Sequence, residues 1–225
     1  MNDTRSEEKV PAFGRGVYSF PFAARILSSR PNNRGSVSSR ALRYWMQVGL
    51  TDATWGRGIH GSAILSFHDL ISLEIVRLLR DEGASLQKVR ALEVVLREKY
   101  PDFTRPFAHN VFYTDGVSVW EQLSPGGHLE EIVGRRRGNL AWTGPVAVFA
   151  TEIDYRNEIA SAWHLNPWVE IDPEVHFGVP VVRGTSVPVS AIAANLEADS
   201  AEVVADAYGL EMDQVRGVKE YLNAA

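Results

Sequence analysis

The chain has 225 residues, of which 45% are hydrophobic and 23% are charged. This composition is typical of a globular protein with a sizeable core, and it excludes a chain that is disordered throughout. The sequence has no cysteine, which excludes a disulfide framework, a thiol nucleophile and a zinc site with thiolate ligands. No long apolar run occurs, and the polar first 16 residues lack the apolar stretch of a signal peptide. We therefore expect a cytoplasmic protein without a membrane span.

The net charge of −5 is distributed unevenly along the chain. Residues 1–100 carry 15 Lys or Arg against 10 Asp or Glu, whereas residues 166–225 carry 3 against 10. Residues 11–60 contain seven arginines and a single acid, Asp52. Because arginine is suited to bidentate contacts with phosphate and with guanine, this stretch is a candidate DNA-binding region. A merely solvated basic surface is the alternative.

The first elements are two short helices. Residues 1–16 show no periodicity, and we interpret them as a flexible tail. From Tyr18 apolar residues recur at helical spacing until a turn rich in Pro, Asn and Gly. Ser36 or Ser38 then caps a second helix, which we expect to end at Gly49. Trp45 falls on the apolar side of this helix, which predicts a core position rather than a ligand-stacking one.

A glycine-rich segment and two longer helices follow. Residues 51–67 interleave glycine with aromatic and basic residues, a pattern that predicts a hairpin or wing. Ser66 opens a helix whose apolar periodicity stops at Gly83. A further helix runs to Pro101, and its apolar residues cover most of its circumference. We expect this helix to be buried, in part against a second subunit.

The second half of the chain changes character. Residues 104–165 contain short segments rich in Val and aromatic residues between glycine-containing turns, which predicts a small β-rich domain. Residues 166–225 begin with extended pieces around Gly178 and Gly184 and continue as three helices, of which Ser200 caps the second. The predicted core of this trihelical unit is Ile192, Leu196, Val203, Val204, Val215, Val218 and Leu222.

Two strings in the first half match a known pattern. LRYWMQVGL and LSFHDLISLEIVRLLRDEGASLQKVRAL resemble the DNA-binding domain of MerR-type regulators, over roughly residues 17–100. The resemblance implies a winged helix-turn-helix. We therefore expect the α+β class, with a winged helix-turn-helix at residues 17–103, the β-rich middle domain, and a C-terminal trihelical unit that is itself helix-turn-helix-like.

A second pattern lies near the C-terminus. A GxPxxxGT string, formed by Gly178, Pro180, Gly184 and Thr185, resembles domain of unknown function 433 over roughly residues 168–222. Proteins with these two ends resemble VapB-type antitoxins, in which DNA binding represses the operon and another region restrains a PIN-domain ribonuclease. The resemblance implies operator DNA and such a ribonuclease as partners. Operator symmetry leads us to expect a homodimer.

The MerR-like interpretation places the second helix in the major groove, where arginine reaches O6 and N7 of guanine. The side chains expected to contact DNA are Ser38, Ser39, Arg40, Arg43 and Tyr44. Arg57 and His60, on the glycine-rich segment, are candidates for phosphate or minor-groove contacts. The alternative is that Tyr44 packs in the core while the arginines are simply solvated.

The acidic C-terminal unit predicts a protein partner, because its ten acids would repel DNA phosphate. A PIN-type nuclease would hold Mg²⁺ with carboxylates, and an inserted cation would compete for those oxygens. The candidate toxin-binding residues are the three cations of this unit, Arg183, Arg216 and Lys219. Steric inhibition is the alternative.

The sequence lacks the commonest phosphate-loop, dinucleotide and serine-hydrolase motifs, and its six histidines show no HxxxH or HExxH spacing. We therefore expect no enzyme activity, no cofactor and no metal site. Two alternatives stay open: a stand-alone MerR-like regulator whose middle domain senses a small molecule, and a divalent-metal hydrolase. The hydrolase would use Asp154, Glu158, Asp172, Glu174 and His176.

Overall fold

The computed structural model describes residues 16–29, 36–49, 64–102, 105–114, 116–122, 133–136, 139–142 and 144–224. Over these residues the chain is a mixture of helices and antiparallel strands, which confirms the α+β class. Buried apolar side chains from the N-terminal helices, the middle region and the C-terminal helices belong to one continuous core.

The described helices are α1 (Phe20–Ser28), α2 (Ser39–Gln47), α3 (Phe67–Asp81), α4 (Leu86–Lys99), α5 (Val111–Thr114), α6 (Gly116–Gln122), α7 (Gly144–Ala150), α8 (Val189–Leu196), α9 (Ala201–Tyr208) and α10 (Met212–Ala224). The strands are β1 (Val133–Arg136), β2 (Asn139–Trp142), β3 (Ile153–Arg156), β4 (Ile159–Asn166), β5 (Val169–Ile171) and β6 (Val181–Val182). Short 3₁₀ turns lie at Pro106–Ala108 and His176–Gly178. None of the described helices has both the length and the apolar character that a membrane span needs.

Serine caps define the first two helices. Ser19 and Ser38 each accept a hydrogen bond from a backbone amide in the first turn, at 3.3 and 3.1 Å. Each thereby satisfies one of the free amides at a helix start. The two helices pack against each other and bury Leu42 and Trp45 of α2. The predicted helices, the Ser38 cap and the core position of Trp45 are confirmed.

Helix α3 lies almost wholly inside the core. Ser66 and Asp69 form a reciprocal capping box, in which the Asp69 carboxylate accepts from the Ser66 amide at 2.8 Å. The same buried carboxylate forms an ion pair with Arg105 at 2.7 Å. Further along the helix, the buried guanidinium of Arg77 is held by Glu74 at 2.7 Å. Each of these charges has a partner, which burial requires because a lone buried charge is strongly destabilising.

Helix α4 is only partly buried. It begins at a Ser85 cap and turns one face inward, where Val89, Leu92 and Leu96 are fully buried. The opposite face is exposed, and the side chain of Val94 on it is 41% exposed. Within the single chain one face of this helix is therefore buried, and the expected contact of the rest with a second subunit stays a prediction.

The middle region contains more helix than its sequence predicts. Helices α5, α6 and α7 occupy segments whose Val and aromatic content predicts strands, so the prediction of a β-rich domain at 104–165 is wrong for them. Packing explains the difference. Phe112 of α5 stacks on Trp142, with 4.9 Å between ring centroids, and the Trp142 indole donates to the Phe112 carbonyl at 2.9 Å. Burial in this aromatic cluster outweighs the local strand propensity.

Strands β3 to β6 form one antiparallel sheet in that order. Strand β4 ends at Asn166 and pairs with β5, so the sheet continues across the position between residues 165 and 166 where the sequence predicts a domain boundary. Asn166 closes the turn between the strands, because its side-chain carbonyl accepts from the amides of Trp168 and Val169 at 2.8 and 2.7 Å. The middle region and the C-terminal segment therefore share a sheet.

The C-terminal helices α8, α9 and α10 pack on one another as the predicted trihelical unit. Ser200 caps α9, as expected. The unit is held to the sheet by Trp168, which contacts α10 at Gly217. A Cβ atom on Gly217 would lie 2.1 Å from the indole ring, so the close approach of strand turn and helix depends on this glycine.

One predicted core residue of this unit is exposed. Val203 is 53% exposed, whereas its neighbour Val204 is buried, because adjacent residues of a helix point in different directions. The core prediction is therefore wrong for Val203. The remaining predicted positions are buried or partly buried: Ile192, Leu196, Val204, Val215, Val218 and Leu222.

Tyr18 links the N-terminal helices to the C-terminal segment. Its backbone pairs with Leu65 through two hydrogen bonds of 2.9 Å. Its fully buried hydroxyl donates to the carbonyl of Gly178 at 2.9 Å. Burial, with a smaller contribution from Asp172, raises the pKa of Tyr18 well above its usual value, so the hydroxyl stays protonated and remains a donor.

We predict that Gly178→Ala strongly destabilises the fold. Gly178 has a φ of 82°, and a Cβ atom there would lie 2.0 Å from the Tyr18 hydroxyl oxygen. The left-handed backbone and the clash together should lower the free energy of unfolding by about 3 kcal/mol or more, which chemical denaturation would measure.

Gly184→Ala is the matched control. Gly184 has a similar φ of 74°, but no atom of the described residues lies within 4 Å of the position of its Cβ atom. Only the backbone cost applies there, about 1 kcal/mol. Equal destabilisation by the two substitutions would contradict the role assigned to the Tyr18 contact.

We predict a loss of stability in mild acid that depends on His109. Burial, with added repulsion from His68, lowers the pKa of His109 to about 4. Between pH 6.5 and this value the unfolded chain binds a proton at this ring and the folded chain does not. The contribution of His109 to the free energy of unfolding therefore falls as the pH falls below 6.5 and does not change above it. For a ring that is not wholly enclosed we expect a loss of about 1 to 2 kcal/mol.

Urea unfolding of the native chain and of His109→Gln between neutral pH and pH 4.5 measures this effect. The variant should show a shallower loss of stability, since glutamine does not titrate. Parallel pH profiles for the two proteins would count against it.

Candidate nucleic-acid interface

The outer side of α2 carries a row of polar side chains. Four exposed residues at positions i, i+3, i+4 and i+7 form one side of the helix: Arg40, Arg43, Tyr44 and Gln47. We refer to these four residues as the α2 face. Together with Ser38 and Ala41 they line a shallow groove on the surface. Helix α2 contains no acidic residue, so the α2 face is positively charged.

The ring of Phe20 orients Arg43. The Arg43 guanidinium lies over this ring, 5.3 Å from its centroid, in a cation–π contact. Phe20 is itself buried, so the packing of α1 holds the ring in place. Arg43 is therefore directed before any ligand binds, which reduces the conformational entropy that binding would cost.

The structure brings the five predicted α2 residues to one helix. Tyr44 is 51% exposed and is therefore not a core residue. Ser39 is half-buried, and Ser38 is exposed but uses its hydroxyl oxygen as the N-cap acceptor. The Ser38 O–H remains able to donate at the positive end of the helix, where an anion is favoured. Sequence reasoning missed Gln47, although its spacing from Arg43 indicates the same side of the helix.

The two remaining predicted DNA contacts, Arg57 and His60, lie outside the described residues. The structure describes this part of the chain from residue 64 onward, and Leu65 there pairs with the backbone of Tyr18. The prediction for Arg57 and His60 stays a prediction.

A row of polar side chains crosses the four-stranded sheet and ends at Arg183. His164 Nε2 lies 2.8 Å from the Asp154 carboxylate, and His164 Nδ1 lies 3.4 Å from that of Glu170. The Glu170 carboxylate lies 3.7 Å from the Arg183 guanidinium and accepts from the Gly184 amide at 3.0 Å. Arg183, a predicted toxin contact, is therefore already part of a charge network within its own chain.

The other two predicted toxin contacts lie one turn apart on α10. Arg216 forms an ion pair with Asp213 at 2.8 Å, and both side chains are largely exposed. Lys219 is exposed and lines a shallow groove with Leu196 and Leu222. Among the described residues, no carboxylate lies within ion-pair distance of Lys219. Of the three cations, Lys219 is therefore the one without an ion pair to a described residue.

The residues of the metal-hydrolase alternative contact different partners. Asp154 contacts His164, whereas Glu174 faces Arg156 at 3.4 Å. The Asp172 carboxylate accepts from the Glu174 amide at 2.7 Å, and burial raises the pKa of Asp172. In the part of the chain that the structure describes, no three His, Asp or Glu side chains are arranged to hold a metal ion.

The GxPxxxGT residues build the turns around β6. Gly178 and Gly184 both have left-handed backbone, which glycine adopts without strain. The Thr185 hydroxyl donates to the Val182 carbonyl at 2.8 Å and accepts from the Val187 amide at 3.1 Å, which closes the turn that leads to α8. Residues 169–222 match the family Protein of unknown function (DUF433). The DUF433 domain thus contains strands β5 and β6 and the three C-terminal helices.

The fold also resembles a solved structure, the crystal structure of Rv2018 from Mycobacterium tuberculosis, with a TM-score of 0.76 and 22% sequence identity. The match covers 92% of this chain and 99% of that chain, so the likeness in fold extends well beyond the DUF433 domain. A comparison with curated proteins finds no match.

Proposed function

We propose that the protein is a DNA-binding antitoxin that represses its own operon and neutralises a PIN-domain ribonuclease by direct binding. The α2 face carries the proposal, because it presents two arginines, a tyrosine and a glutamine on a helix without acids. The antitoxin part is supported by the resemblance of the two ends of the chain to VapB-type proteins. It is also supported by the acidic charge of the DUF433 domain.

The α2 face suits the chemistry of the major groove. Arginine donates two parallel hydrogen bonds to guanine, and glutamine pairs in a similar way with adenine. From Arg40 to Gln47 the helix rises about 10 Å, which is roughly the length of three base pairs. One copy of the protein would therefore read a short half-site, and a homodimer would read an operator with two-fold symmetry.

The DUF433 domain supplies the proposed toxin-binding surface. Its ten acids favour a basic protein partner and disfavour DNA. The groove beside Lys219 combines apolar side chains with a cation that has no carboxylate within ion-pair distance among the described residues, although Glu197 also lines the groove. In a nuclease whose carboxylates hold Mg²⁺, an inserted ammonium group competes with the metal for the same oxygens.

We predict that Arg43→Ala weakens binding to a promoter fragment of the protein's own operon by about 1 to 3 kcal/mol and relaxes the base preference, because it removes a bidentate guanine contact. Fluorescence anisotropy titrations at fixed salt would measure both effects. Arg156→Ala is the matched control, since Arg156 is also an exposed arginine but lies on β3. Equal affinities of the native chain and Arg43→Ala would remove α2 from the DNA interface.

We predict that the tagged full-length protein, purified from its own host at moderate salt with nuclease treatment, carries one small protein with latent ribonuclease activity. Lys219→Glu should reduce its recovery by about tenfold or more, because the substitution reverses a charge in the proposed contact with the partner. Arg156→Glu makes the same change of charge elsewhere and should leave recovery unchanged. Mass spectrometry and an RNA cleavage assay on the released protein provide the readouts.

Recovery of the bait alone, with DNA fragments bound before nuclease treatment, would contradict the antitoxin part. That result would favour the stand-alone regulator, whose DNA affinity should then respond to a small molecule.

A further inference from the structure

The outer face of α4 combines an exposed apolar residue with charges on either side of it. Val94 lies at the centre of the helix, and Arg90 and Glu98 stand four residues before and four residues after it. All three are exposed and lie on one side of the helix. We refer to Arg90, Val94 and Glu98 as the α4 face.

The two charges of the α4 face have no ion-pair partner in the described part of the chain. They cannot pair with each other, because eight residues of helix separate them by about 12 Å. Glu93 and Arg97, by contrast, pair with each other on the same helix. The α4 face is therefore an apolar centre between an unpaired cation and an unpaired anion.

We propose that the α4 face binds a second copy of this chain, as an antiparallel pair of α4 helices with a two-fold axis at Val94. In that arrangement the two valines meet at the axis, and Arg90 of each copy faces Glu98 of the other. The same residues on both copies satisfy the contact, as a two-fold interface requires. The symmetric placement of opposite charges about Val94 favours a second copy over an unrelated partner, which would have to match both charges independently.

The position of the α4 face also suits the proposed function, on which this part of the inference rests. The Arg90 guanidinium lies beside Gly49, at the C-terminal end of α2, and both residues border one shallow groove. A two-fold axis at Val94 therefore relates two α2 helices whose ends both adjoin the interface. An operator with two half-sites needs such a pair of helices in a fixed relation.

Charge reversal with rescue tests the interface in the full-length chain. Sedimentation velocity over a wide range of protein concentration should show a dimer for the native protein. Arg90→Glu and Glu98→Arg should each raise the dimer dissociation constant at least about tenfold, because each places two pairs of like charges across the axis. The double variant R90E/E98R should restore the dimer, because every pair is again of opposite charge. Arg156→Glu, outside the α4 face, should behave as the native protein does.

Circular dichroism and thermal melts of each variant confirm that a change in sedimentation is not a loss of folding. A monomeric native protein, unchanged dimerisation in both single variants, or failure of the double variant to restore the dimer would overturn the proposal.

Binding to DNA separates this inference from the proposed function. A monomeric single variant should retain the native affinity for a half-site fragment and lose affinity for the full operator. The native dimer and its rescue by the double variant could be observed while neither the native protein nor any variant binds DNA. In that case the proposed interface stands and the proposed DNA-binding function fails.

Discussion

The buried hydrogen bond from the Tyr18 hydroxyl to the Gly178 carbonyl joins residues 160 positions apart, and the relation between the two ends of the chain depends on it. On one side, Tyr18 pairs with Leu65 and stacks on Phe22, which sets the start of α1. On the other, Gly178 brings its carbonyl close to the phenol because it has no Cβ atom. A buried donor or acceptor without its partner costs about 1 to 3 kcal/mol, so each end of the chain favours the folded form of the other.

Helix α1 connects this hydrogen bond between Tyr18 and Gly178 to the α2 face. The helix begins with Phe20, whose ring orients Arg43. It is followed by Ser29, which lies beside Tyr221 of α10. Both ends of α1 therefore contact the DUF433 domain, through Tyr18 and through Ser29, while its length packs against α2. The surfaces proposed for DNA and for the toxin belong to one packed unit and are not joined by a free linker.

Features that depend on neighbours in sequence were predictable. Ser38, Ser66 and Ser200 were identified as caps because a cap needs only the first turn that follows it. Strands were predicted where α5, α6 and α7 lie, because Val and aromatic residues favour strands when packing is unknown. The contact of Phe112 with Trp142 decides that case, and it spans 30 residues. The exposed side of α2 followed from helical spacing, whereas the ring beneath Arg43 and the partner of Tyr18 depend on contacts between separate elements that no local pattern encodes.

Strand β4 lies between β3 and β5, so the sheet has no natural break between the middle region and the DUF433 domain. A protease that removed the chain after Asn166 would take away β5 and β6 and leave β4 with unpaired backbone groups along one side. It would also separate Gly178 from Tyr18, and with it the support of α1. Digestion would therefore end the proposed operator binding and the proposed toxin binding together, so both activities would share a single half-life in the cell.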